Sequence, residues 1–254
     1  MKSCGVKRAT VVAATCGLLL TALAACGGQR EEVSPGAEPK AGGTAATIRP
    51  SPSQAPQPSQ PPRVPGVGAR LWQRVPADTR QVVAVYGESE DSPDSTLVLY
   101  EKRGSHWELT AGWPAHNGKQ GWTTDHRMGD ERSPVGVFTL SDAGGVLPDP
   151  GTRFPYLQDE QAFASPYYWD ESHWHDFDYV IAIDYNRRRG VPPDDPTRPQ
   201  GEAKGGGIWL HLDHGNGTLG CVSVPKEAME RLLRTLDPKQ NPVVVMGDKA
   251  NLMA

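Results

Sequence analysis

Cysteine is scarce: the chain has four in 254 residues. Their positions argue against a disulfide framework, because Cys4, Cys16 and Cys26 fall in the N-terminal stretch and Cys221 stands alone far downstream. A basic excess is also missing. Lys+Arg number 26 against 30 Asp+Glu, for a net charge of −4. Nucleic-acid binders carry a basic face, so nucleic acid is not expected as a partner. There is no P-loop, and no GxGxxG follows a strand, so no nucleotide site is announced. No internal repeat is visible, which argues against solenoids and propellers. Apolar residues at 37% suffice for one core, whereas 24 Pro and 28 Gly are more than such a core needs. That mixture implies a globular domain joined to a low-complexity stretch.

The N-terminus reads as an address. Lys2, Lys7 and Arg8 form a positive start, and residues 9–25 then carry no charge and are rich in Leu, Val and Ala. This order is that of a secretory signal. Its end, Leu23-Ala24-Ala25-Cys26, resembles the bacterial lipobox, in which the cysteine is lipidated and becomes the first residue. Residues 1–25 are therefore expected to be a lipoprotein signal peptide, with Cys26 as the membrane anchor. Loss of the three basic residues shifts the net charge from −4 to −7. Cys221 then remains as the only thiol of an exported protein facing the cell wall.

Residues 26–68 hold nine Pro, seven Gly and no aromatic residue. Such a segment cannot bury enough apolar area to offset its ordering entropy, so it reads as a disordered tether. Residues 69–247 read as the folded domain and 248–254 as a tail. Val-, Leu- and Tyr-rich runs at 81–87, 95–101, 105–114, 135–140, 179–184, 207–211 and 242–246 read as strands. Ala228, Met229, Leu232, Leu233 and Leu236 recur at helical spacing, so 225–236 reads as a helix, with Pro225 at its start. Many short strands and one clear helix predict a mostly β class, a sandwich or barrel. Residues 141–176 and 186–206 are expected to be long loops, of the kind that serve as lids or binding loops.

The chemistry concentrates in GGGIWLHLDHGNGTLGCVSVP, residues 205–225. A free thiol has a pKa of about 8.5, so little is thiolate at neutral pH. An adjacent imidazole can take the proton and hold an ion pair. His211 closes a strand ahead of Cys221, and the intervening glycines let the chain turn back. His214 competes with His211 for the role of base. It lies in a Gly-rich turn where exposure is expected, and a strand fixes a side chain better than such a turn does. Gly220 allows close backbone approach, and the amides around Gly220 and Cys221 can stabilise an oxyanion. The helix after Cys221 is expected to add a positive N-terminal dipole nearby. A metal set of His211, Asp213, His214 and Cys221 is disfavoured. Histidines at i and i+3 share a face only on a helix, and Gly215 and Gly217 oppose one.

These residues resemble the L,D-transpeptidase (YkuD-type) catalytic domain. The family closes a strand with I-x-[IL]-H and continues with [ST]-x-G-C, an apolar residue and a polar one. Ile208, Leu210 and His211 match the first element; Thr218, Gly220, Cys221, Val222 and Ser223 match the second. GDERSPVGVF at 129–138 resembles a segment that borders the family's cleft, and YVIAIDYN at 179–186 resembles a further family strand. Leu219 stands where many members have a second His, Ser223 where Asn or Arg is common, and the His-to-Cys spacing is shorter than usual.

The resemblance implies an L,D-transpeptidase-like β-sandwich with mixed sheets, one short helix after Cys221 and long loops. It implies a peptidoglycan L,D-transpeptidase that forms 3→3 cross-links through a Cys221 thioacyl-enzyme, with His211 as base. Gly220, Thr218, Ser223 and His214 would contact substrate or oxyanion. In the family a backbone carbonyl often orients the His, and Asp213 is a further candidate for that role. Peptidoglycan stem peptides are the implied donor and acceptor, and no metal or organic cofactor is expected. A thiol carboxypeptidase or endopeptidase, and a non-catalytic wall-binding lipoprotein, are the alternatives. His173-Trp174-His175, with Asp170, Glu171, Asp176 and Asp178, reads either as a lining of the donor site or lid, or as a solvated loop. Arg187-Arg188-Arg189 reads as a solvated face, with contact to the carboxylates of a peptide stem as the alternative. Trp107, Trp113, Trp122 and Trp209 read as core.

Overall fold

The computed structural model describes residues 62–254. The signal-peptide reading of 1–25, the lipidation reading of Cys26 and the tether reading up to residue 61 lie outside them. The described strands are β1 (Gln81–Gly87), β2 (Asp94–Arg103), β3 (His106–His116), β4 (Trp122–Thr123), β5 (Ser133–Pro134), β6 (Gly136–Gly145), β7 (Tyr156–Gln158), β8 (Val180–Ile183), β9 (Trp209–Leu212), β10 (Val222–Val224) and β11 (Val243–Asp248). The helices are α1 (Ala69–Trp72), α2 (Glu160–Phe163), α3 (Lys226–Thr235) and α4 (Lys249–Met253).

The main sheet runs β11-β1-β2-β3-β10-β9-β8-β6-β7, and β11 also pairs with β6. The sheet therefore closes on itself. The closure depends on β6, which changes partner along its length. Gly136 to Thr139 lie against β11, whereas Leu140 to Gly144 lie against β8, with a register shift between Leu140 and Ala143. An irregularity of this kind bends a strand from one layer into the next. The expected mostly β class with mixed pairing is what forms: β1–β11, β9–β10 and β6–β7 are parallel, and β1–β2, β2–β3 and β8–β9 antiparallel.

The unbroken apolar runs of β1, β2 and β11 have a simple cause: both faces of these strands are covered. Val83, Val85, Leu97, Leu99, Val244 and Met246 enter the central core. Val82, Ala84, Val98, Tyr100, Val243 and Val245 enter a second cluster on the opposite face. That second cluster is completed by Val64, Val67, Leu71 and Leu252. Two expected boundaries shift as a result. Residues 62–68, read with the tether, pack on the sheet through Val64 and Val67. The supposed tail forms α4, where Asp248 accepts from the Ala250 and Asn251 amides and Leu252 is buried. The Gly68 amide donates to the Leu252 carbonyl at 2.7 Å, tying the two ends of the domain together.

The expected helix is α3, preceded rather than begun by Pro225, and it buries Ala228, Met229, Leu232 and Leu233 in the central core. Arg187 is not on a solvated face. It is buried and pairs with Asp142 and Asp184, pinning the start of the 186–206 loop to β6 and β8. Asn186 holds the same loop through Gly201 and Gly205 carbonyls and the Gln200 amide. Of the tryptophans read as core, Trp122 is fully buried and Trp113 packs against the core's edge.

Candidate active site

Strand register sets the site. β9 and β10 run parallel, with Leu210 beside Val222, His211 beside Ser223 and Leu212 beside Val224. Leu210, Leu212, Val222 and Val224 all enter the central core. Side chains alternate along a strand, so Trp209, His211 and Ser223 occupy the other face, and Cys221 joins them one step before β10. On that face lies a cavity of about 400 Å³, lined by Cys221, His211, His214 and Thr218 and, across from them, by Trp169, His173, Asp176 and Phe177.

The thiol is held by its own loop and by a distant serine. Gly220 has a φ of 137°, a conformation that favours glycine. Thr218 Oγ1 accepts from the Gly220 amide at 3.1 Å and donates to the Cys221 carbonyl at 2.7 Å. The buried Ser133 hydroxyl lies 2.8 Å from the Gly220 carbonyl and 3.1 Å from that of Cys221, and it accepts from the Gly118 amide. Ser133 belongs to the SPVGVF segment, which explains why that segment borders the site. Cys221 Sγ itself accepts from the Trp209 amide at 3.4 Å and donates to the Gly207 carbonyl at 3.6 Å.

His211 is 3% exposed. Its Nδ1 donates to the Leu212 carbonyl at 2.8 Å, which leaves Nε2 as the nitrogen able to accept a proton. The Phe177 ring meets its edge at 5.3 Å between centroids. Asp213 does not take part in orienting His211. It accepts from Ser223 Oγ and from His116 Nδ1, each at 2.7 Å. Burial works against its charge, but these two bonds outweigh it and hold the carboxyl below its usual range. Ser223 thus supports the strand face through Asp213. The conjectured set of His211, Asp213, His214 and Cys221 is not assembled, because Asp213 turns to His116 and His214 turns to Asp176.

His214 is not exposed as its turn predicted: its side chain is 4% accessible. Its Nδ1 lies 3.1 Å from Asp176 Oδ2, and its ring stacks 6.3 Å from that of His211. Asp176 raises the His214 pKa above the ordinary value. The backbone of this region is tied to β9, since the Leu212 amide donates to the Asp176 carbonyl at 2.9 Å. The 169–177 segment is therefore one wall of the cavity. Trp174 and His175 point away and remain exposed.

The family model of the L,D-transpeptidase catalytic domain, YkuD, matches residues 91–245. The chain belongs to this family. No curated protein matches it. Among solved structures, the L,D-transpeptidase domain is similar to Bd1075 of Bdellovibrio bacteriovorus, at 18% identity and a TM-score of 0.37. It is also similar to the helical cell shape determining protein Pgp2 of Campylobacter jejuni, at 18% identity and a TM-score of 0.39. Each match covers 66% of this chain and 48% of the other, so the chain spans about half the length of the structures it resembles.

The charge state of the L,D-transpeptidase site departs from expectation. Burial pushes the Cys221 thiol up to about 11 and pushes His211 down to about 4. Burial therefore favours the neutral thiol and the neutral imidazole over a resting thiolate–imidazolium pair. The helix dipole does not offset this. β10 separates Cys221 from α3, and at about 3.3 Å per strand residue the helix starts more than ~10 Å further on, beyond the reach of its end. Ser133 was not singled out as a site residue from the sequence, whereas His173 and Asp176 belong to the cluster read as a donor-site lining or a solvated loop, and both line the cavity. The signal for Ser133 was its place in SPVGVF; for His173 and Asp176 it was their three-residue spacing beside an aromatic cluster.

Proposed function

We propose that this domain is a peptidoglycan L,D-transpeptidase that forms 3→3 cross-links. The observation that carries the reading is the shared strand face: Cys221 and His211 both line one cavity, and the imidazole's free nitrogen is Nε2. Cys221 Sγ attacks the carbonyl of the L,D bond between residues three and four of a donor stem peptide. The neutral His211 Nε2 takes the thiol proton as the S–C bond forms, so charge develops only with substrate in place. The Gly220 amide is engaged by Thr218, and the Cys221 amide is assigned to the oxyanion. Collapse breaks the C–N bond, and His211 returns its proton to the leaving D-alanine amine. The thioester is then attacked by the side-chain amine of a diamino acid on a second stem. That amine loses a proton to His211 as the new C–N bond forms, the C–S bond breaks, and the leaving thiolate regains the proton.

We also assign the membrane anchor to lipid on Cys26, with the domain on the outer face of the cytoplasmic membrane. Cys26→Ala should release the protein from the membrane fraction.

Intact-mass analysis after treatment with a carbapenem tests the nucleophile. The wild-type chain should gain one drug mass and Cys221→Ala none. An adduct on Cys221→Ala would sink the assignment. Muropeptide products separate transfer from hydrolysis, because trimmed stems without dimers would make the protein a carboxypeptidase or endopeptidase.

A further inference from the structure

A second cluster of ligating groups stands in the same cavity and is not used by the acyl-transfer scheme. His173 Nδ1 lies 2.9 Å from Asp176 Oδ2, and His214 Nδ1 lies 3.1 Å from the same oxygen. Ligating atoms of the three residues all fall within 4.8 Å of one another. Two ligands of a tetrahedral zinc ion, each about 2.0–2.1 Å from the metal, stand roughly 3.3 Å apart.

His214 supplies the deciding observation. Its side chain is 4% accessible, yet its Nδ1 makes no hydrogen bond, because Asp176 Oδ2 is close but off the hydrogen-bonding axis. Nε2 faces the Gly217 carbonyl at 3.4 Å. A carbonyl only accepts, so Nε2 carries a hydrogen, and in the neutral ring Nδ1 presents a lone pair. A buried lone pair beside a carboxylate oxygen repels it unless a proton or a metal cation stands between them, and a metal would take the place of that proton. His214 Nδ1 and Asp176 Oδ2 approach without pointing at each other, as atoms converging on a third point do, whereas His173 Nδ1 is hydrogen-bonded to the same oxygen and would release its proton on binding the ion.

We propose that His173, Asp176 and His214 form a binding site for a divalent transition metal of the zinc type. Two imidazoles and one carboxylate suit Zn²⁺ and do not suit Ca²⁺ or Mg²⁺. The Gly217 carbonyl orients His214 from behind, as outer partners of metal-bound histidines do. The His173 side chain is 26% accessible, which leaves an entry path for the ion. Three protein ligands leave a fourth position for water or a substrate carboxylate. None of the three is Cys221 or His211, so the site stands or falls separately from the transpeptidase reading.

The test is calorimetric titration of the full chain with ZnCl2, paired with Co²⁺ spectroscopy. One equivalent of Zn²⁺ should bind. His173→Ala and Asp176→Asn should each weaken it by at least about tenfold. Cys221→Ser should bind as wild type does, and the Co²⁺ form should show tetrahedral visible bands without a thiolate charge-transfer band. Circular dichroism checks the folding of each variant, and His173→Ala, at a partly exposed residue, decides if Asp176→Asn unfolds. No saturable binding, binding indifferent to His173→Ala, or binding lost with Cys221→Ser would each overturn the site. Failure here would leave the carbapenem adduct on Cys221 untouched, and failure of the adduct would leave the titration untouched.

Discussion

β1 and β9 are both parallel-paired strands of one sheet, but they are built to different ends. β1 reads VVAV because each face meets a core, one under α3 and the other under α4 and Val64. β9 reads WLHL because only one face does: Leu210 and Leu212 point into the core, and Trp209 and His211 point the other way, His211 into the cavity wall. The contrast shows how the fold divides its labour. The doubly covered strands supply stability and are indifferent to chemistry. The singly covered pair, β9 and β10, gives up half its apolar contact to hold reactive groups at fixed register.

That division can be broken from either side. The largest effect is expected at His211→Ala, which should lower the rate of carbapenem acylation by about 10²–10⁴, far more than the roughly 1–3 kcal/mol that loss of its buried bond to the Leu212 carbonyl should cost in urea unfolding. Leu252→Ala acts on the other region. It should cost about 2–5 kcal/mol in urea unfolding and leave the acylation rate of the folded protein as it was.

Acid should expose the cost of burying His211. Its folded pKa, about 4, is below the unfolded value of about 6.5. The unfolded chain therefore binds the proton first as the pH falls. The contribution is fully present above about pH 6.5 and is lost on the way to pH 4, by about 3 kcal/mol at most. Unfolding free energies from urea titration at pH 7 and 4.5 should differ by about 2 kcal/mol more in the wild type than in His211→Asn. The smallest effect is expected at Ser133→Ala, a change at the side chain that supports the loop carrying Cys221. It leaves the Gly220 and Cys221 carbonyls and the Gly118 amide without their shared hydroxyl. The cost should be about 1–3 kcal/mol, with a measurable fall in acylation rate.

The same contrast explains what was legible in the sequence. Runs such as VVAVY and VVVM, and the spacing of Met229, Leu232 and Leu233, announce their elements because burial repeats within each segment. β10 escaped notice because VSV is three residues long, squeezed between Cys221 and Pro225. The ends of the domain escaped because Val64, Val67 and Leu252 are isolated apolar residues in Pro-rich or short segments. In the site, Thr218, Gly220 and Cys221 are close in sequence, and their bonds to one another are local. Ser133 reaches Cys221 across 88 residues, a contact that spacing does not encode. Protonation is not legible in the motif, which shows only the neighbours of a thiol and an imidazole. Burial, which here outweighs them, is a property of the finished fold.

The closure of the sheet through β6 and β11 has a consequence for recognition. β9 is paired on both sides, with β8 and β10, and β10 lies between β9 and β3. No backbone edge is open beside Cys221, so an extended peptide cannot dock there by adding itself as another strand. Whatever enters the cavity must be read by side chains and by the 169–177 wall. Selectivity then rests on the shape and charge of individual substituents rather than on a generic main-chain ladder. A domain built this way can pass over ordinary polypeptide and still engage a short branched peptide.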